Sequence, residues 1–261
     1  MHQLLAMMQR DAAEAWERRA SLWLQVGLSW LLPTALWVWS QSWGASGDEG
    51  AVRGALALGL VVMDALWTAS ILWGRAIHRA QVWGELEILL SSGVGLGRLL
   101  LITPAFSAAC SLARCALYVL LMWGLYGASF ETSQLHVALL FLLLAGFALG
   151  AVGVMSMCLT LLMRSPEPLG PALWGVSLLL CGALSPQGSP PGWAGELGAA
   201  LPAGAMLEGL RGALLRGQSA GAQWEALARL GLGTAALLAL AWLVVRHTRG
   251  LLMREGVHGE H

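Results

Sequence analysis

The sequence predicts an all-α integral membrane protein. Six transmembrane helices are expected, with an N-terminal interfacial helix and an amphipathic helix between the second and third spans. A broken outer-leaflet helical segment is expected between the fifth and sixth. Three observations predict this. Hydrophobic residues make up 57% of the 261 residues and charged residues only 11%, with a mean hydropathy of +0.66; a soluble domain carries roughly 25% charged residues. Six apolar stretches approach the roughly 20 residues that a helix needs to cross the hydrocarbon. The arginines between those stretches fall mostly on one side once alternate loops are separated.

The spans are read as Leu22–Trp43, Gly54–Trp73, Leu99–Trp123, Leu135–Met163, Leu169–Leu184 and Leu230–Val245. With the N-terminus in the cytoplasm, Arg10, Arg18, Arg19, Arg75, Arg79, Arg98, Arg164, Arg246, Arg249 and Arg254 all lie inside. Only Arg53, Arg211, Arg216 and Arg229 lie outside, and Arg114 lies within a span. The positive-inside rule selects that orientation and places both termini in the cytoplasm. Trp23, Trp43, Trp73, Trp123 and Trp224 stand near span ends, where an aromatic belt belongs.

Residues 1–20 carry Leu5, Met8, Ala12, Ala15 and Trp16 on one helical face and Arg10, Glu14, Glu17 and Arg18 on the other. That pattern suits a helix lying in the membrane interface, or a solvated lead-in to the first span. These residues are too charged to form the apolar core of a cleavable signal peptide.

A second amphipathic stretch covers residues 82–92. Val82, Leu86, Leu89 and Leu90 share a face on a helix from about Val82, with Glu85 and Glu87 directed elsewhere and Trp83 beside them. Gly93, Gly95 and Gly97 end it. On the far side, residues 185–218 are broken by Pro186, Pro190, Pro191 and Pro202. The pieces around Trp193–Leu201 and Ala205–Arg216 are too short to cross, so they are expected to dip into the outer leaflet and return. Glu208 and Arg211, at i,i+3, can pair on one helical face.

Several chemistries are excluded. The fifteen basic residues are all arginine, so a P-loop lysine and Schiff-base chemistry are both ruled out. Zero net charge argues against nucleic acid as a partner. Cys110, Cys115, Cys158 and Cys181 lie inside apolar runs without metal-site spacing. No catalytic residue, bound cofactor or metal is expected of this chain.

Two ionisable residues remain inside the bilayer, Asp64 near the middle of span two and Arg114 past the middle of span three. Each costs about 2.5–3.5 kcal/mol at a helix centre on insertion scales. Mutual pairing and a place along a substrate path are the two readings. Gly146, Gly150 and Gly153 in span four suggest close helix packing.

Two motif regions carry a resemblance. One is GELEILLSS at Gly84–Ser92. The other is Ser185-Pro186, Pro190-Pro191-x-Trp193, Pro202, Glu208-x-x-Arg211 and Gly217. In their order on a six-span chain they resemble the ABC-2 type permease family, the membrane subunits of bacterial ABC exporters. The resemblance implies a single ABC-2 type transmembrane domain over 1–261. It makes residues 82–92 a cytoplasmic coupling helix that docks on a separate ATPase subunit through Val82, Trp83, Glu85, Leu86, Glu87, Leu89 and Leu90. It also implies a homodimer or a pair with a related permease, Mg-ATP on the partner ATPase, membrane lipids as surroundings and a place in the bacterial inner membrane. The other reading is a non-transporting membrane protein, an immunity or assembly factor that reuses the fold.

Overall fold

The structure, a computed structural model, describes residues 30–39, 41, 49–84, 105–163, 170–185 and 192–255. Those residues form helices and turns, with no strand among them. In chain order the helices are α1 (Trp30–Trp39), α2 (Glu49–Val82), α3 (Ala105–Gly124), α4 (Leu135–Met163), α5 (Gly170–Cys181), α6 (Trp193–Ala200), α7 (Pro202–Leu215) and α8 (Trp224–Glu255). Among the described residues, four helices are long and apolar enough to cross a membrane: α2, α3, α4 and α8. The expected interfacial helix at 1–20 and half of span one lie outside the described residues.

α2 is the hub. Its helical run covers 34 residues, and 78% of its most apolar window is buried, against 17% for α8. α3 lies along its first half, α4 along its second, and α5 and α7 close the remaining sides. The run exceeds the expected Gly54–Trp73 at both ends. Glu49 supplies a carboxylate to the first turn and pairs with Arg53 one turn on. At the other end Ile77 packs against Met157, Cys158 and Leu161 of α4, so the helix does not stop at Trp73. α2 contains one irregularity, a π-helical turn at Thr68–Leu72.

Other boundaries have equally local causes. α4 takes the span expected for it, opened by a tight turn at Thr132–Gln134. α5 ends three residues earlier than expected because Gly182 adopts φ +60, a left-handed stop. The stop places the carbonyl of Ala183 against Gly59, where an added Cβ would lie 1.8 Å from the oxygen. Gly59 is about 15 Å along α2 from Glu49, so α5 ends well short of the Glu49 end of the bundle. α7 starts with Pro202 in its first turn, where the missing N–H is not needed.

α7 is buried almost throughout, from Ala203 to Ala213, with Glu208 the exposed exception. Its C-terminal end meets the α3–α4 connection, where the Glu131 N–H donates to the Leu214 carbonyl at 2.7 Å. The Ser129 N–H donates to Gly50 O at 3.1 Å, which brings the start of α2 to the same level.

The glycines of α4 divide. An added Cβ at Gly153 would fall 1.9 Å from the Trp73 ring, whereas Gly146 has nothing within 4 Å. Gly150 only grazes Trp73, at 4.0 Å. Trp73 is therefore a packing residue between α2 and α4. Trp123 and Trp224 remain exposed, as an aromatic belt requires. Gly153→Ala is expected to destabilise the protein by about 1–3 kcal/mol through overpacking. Gly146→Ala should change stability by less than about 0.5 kcal/mol. Thermal unfolding of the two variants in one detergent compares them directly.

Candidate functional site

Two residues that carry opposite charge into the bundle meet at one place. Asp64 projects from α2 and Arg114 from α3. Arg114 Nε donates to Asp64 Oδ1 at 2.8 Å and Nη2 donates to Oδ2 at 3.1 Å. This is the fork geometry that a guanidinium offers a carboxylate. Ser111, one turn before Arg114 on the same face of α3, donates its hydroxyl to Asp64 Oδ2. Thr68, one turn after Asp64 on α2, accepts a longer hydrogen bond from Arg114 Nη2 at 3.4 Å. Cys115 Sγ lies 3.7 Å from the Val61 carbonyl, beside the pair.

The Asp64 side chain is 9% exposed and the Arg114 side chain 19%. Three donor contacts converge on one carboxylate. The guanidinium neutralises it, so the cluster enters the apolar bundle with no net charge. The arrangement fastens α2 to α3 near mid-helix. Among the described residues, no group of three His, Cys, Asp or Glu is placed to hold a metal ion. The four cysteines are free and partly or fully buried.

Ser111 and Thr68 are members of the cluster that the sequence reading did not single out. A signal existed: each is a hydroxyl residue in an apolar run, one helical turn from an intramembrane charge. The π turn has no such signal, because it is a pattern of backbone hydrogen bonds and not of residue types.

The outer segment forms differently from the expected Glu208–Arg211 pair. Arg211 turns away from Glu208 and donates through Nη2 to the carbonyls of Gly182 at 3.3 Å and Ser185 at 2.8 Å. Those carbonyls follow the C-terminus of α5, where the helix dipole favours a cation. Burial makes the difference: Arg211 is 8% exposed on the inner face of α7, while Glu208 is exposed on the outer face. Trp193 opens α6 and is exposed.

At the opposite end, Val82 is the last residue of α2, not the first of a new helix. Trp83 and Gly84 form a turn, with Gly84 at φ +71. Val82 and Trp83 are both exposed large apolar residues. Glu85, Leu86, Glu87, Leu89 and Leu90 lie outside the described residues.

Long apolar helices packed around a neutralised charge pair fit a multi-pass membrane protein. The chain belongs to the ABC-2 type transporter family, whose model matches residues 2–215 of its 261. No curated protein and no solved structure matches. Membership makes the chain a permease component of an ABC transporter.

Because each member of the pair is neutralised only by the other, Asp64→Asn or Arg114→Gln alone is expected to cost about 3–5 kcal/mol. The double variant should recover much of that loss, since a buried pair is often replaceable by neutral residues. Thermal unfolding in detergent across the four members of this cycle measures the coupling. Strictly additive losses would show that the contact does not stabilise the bundle.

Proposed function

We propose that this chain is the membrane half of an ATP-driven exporter, powered by a separate ATPase subunit that binds Mg-ATP. Two copies, or one copy and a related permease, would enclose a path along their interface in the bacterial inner membrane. On this reading the chain has six spans, with α1 and α5 belonging to the first and fifth, and both termini are cytoplasmic. The 185–218 segment is re-entrant and caps the outer end of the path. The buried course of α7 and the early stop of α5 support that placement.

One observation carries the reading beyond family membership. α2 runs as one helical segment from Glu49, near the outer connections, to Val82, which abuts the 85–92 stretch. Its final part, Trp73–Val82, packs on α4, and Ile77 joins Met157, Cys158 and Leu161 in a cluster that Val244 and Val245 of α8 also cover. Gln81 Nε2 donates to the Leu161 carbonyl at 3.3 Å. A push on residues 82–92 would therefore enter the centre of the bundle, not a peripheral loop. Val82, Leu86, Leu89 and Leu90 would bury against the ATPase or the bundle, while Glu85 and Glu87 set the register. A chain without lysine has no P-loop, so its route to ATP energy is mechanical contact.

Glu87→Arg is expected to weaken assembly with the ATPase at least tenfold while the spans remain inserted, because like charges at an interface cost several kcal/mol. Co-purification of the two subunits, wild type against variant, checks it. Undiminished assembly in both Glu87→Arg and Leu86→Asp would remove the coupling assignment. Complete absence of an ATPase from the wild-type complex would favour the non-transporting reading.

A further inference from the structure

We infer that the π turn at Thr68–Leu72 is the flexing joint of α2, through which displacement of the Trp73–Val82 arm reaches α3, α4 and α5. The inference rests on the coupling role proposed above and says where inside the bundle the motion is received.

Three helices bear on this one turn from different sides. From α3, Arg114 reaches the Thr68 hydroxyl at 3.4 Å while holding Asp64 one turn earlier. From α4, the Ser156 hydroxyl donates to the Ser70 carbonyl at 2.9 Å. From α5, the first residue, Gly170, lies so close that an added Cβ would sit 2.5 Å from that same carbonyl. The turn itself is buried at Thr68, Ala69, Ser70 and Ile71.

The backbone explains why the turn can yield. The Trp73 N–H donates to the Thr68 carbonyl, five residues back, in place of the usual four. A π turn accommodates one residue more than the α-helix around it, and such turns occur frequently at functional sites. The surplus residue can be taken up by neighbouring turns with little change in the ends of the helix. The two flanks are fixed by different partners. Above the turn, α2 is held by α3 and α7, and the Trp174 indole of α5 donates to the Met63 carbonyl at 3.3 Å. Below it, the arm is held by Met157, Cys158 and Leu161 of α4. A displaced arm therefore meets its softest backbone where it also touches three other helices. The Ser156 hydroxyl holds the turn in its present form by occupying the Ser70 carbonyl.

The test is amide hydrogen exchange in lipid nanodiscs, first on the permease alone and then on its complex with the ATPase. In the permease alone, amides of residues 69–73 are expected to exchange at least tenfold faster than those of residues 58–62. Deleting Ala69 should convert the turn to α-helix with both flanks in register, leaving the melting temperature within a few degrees and the exchange difference below threefold. Ser156→Ala should raise exchange at the turn at least threefold, and Ser156→Thr should restore it. In the wild-type complex, trapping with ATP and vanadate should change exchange at residues 69–73 at least fivefold. Equal protection of the turn and its flanks in the permease alone would overturn the inference. So would an unchanged turn in the trapped complex, or a deletion variant that no longer folds together with a silent Ser156→Ala. Failure of any ATPase to co-purify counts against the proposed function instead, and it is seen before exchange is measured.

Discussion

The structure depends on one constraint, a carboxylate buried in the middle of an apolar helix bundle. Asp64 lies near the centre of the longest buried helix, and water cannot solvate it there. Its charge is met by Arg114 of α3, in fork geometry, with Ser111 on a further lone pair. The pair fixes the rotation and the depth of α3 against α2, because both side chains project from mid-helix and have little slack. With α3 placed, the opposite sides of α2 are left for α4, α5 and α7, and Gly59 of α2 and Gly153 of α4 allow close approach there.

The outer end follows a second form of the same constraint. Backbone carbonyls freed at the end of α5 also need donors at a depth where water is scarce. Arg211 Nη2 donates to two of them, at the end of the helix that favours a cation. A buried cation thus meets a helix end in place of a carboxylate. This ties α7 to α5 across a segment rich in proline. At the other end, the exposed Val82 and Trp83 mark where the helix leaves its packing partners.

Much of this was legible in the sequence, and the limits have physical causes. The four long helices follow from apolar length alone, and α4 was legible at both ends because polar residues and proline bound it. The Asp64–Arg114 contact was legible because two lone charges in apolar runs have few alternatives. The Arg211 contact was not: i,i+3 spacing favours Glu208 in an isolated helix, and only the burial of one face of α7 reverses the choice. Gly146, Gly150 and Gly153 looked equivalent in sequence, yet the position of the Trp73 ring separates them. Val82 looked like the start of a helix because the apolar pattern continues through it. The helix it belongs to begins at Glu49, and Gly84 ends it. The π turn left no trace in composition, since it lies in the hydrogen bonding of the chain.

The central claim is that α2 delivers the residues after Val82 to an ATPase. A photo-crosslinking amino acid placed at Leu86 tests it most directly, with the same probe at Ser219, beyond α7, as the control. The account predicts that the Leu86 probe captures an ABC ATPase chain and that the Ser219 probe does not. Capture from Ser219 alone, or from neither position in cells that produce the ATPase, would contradict it.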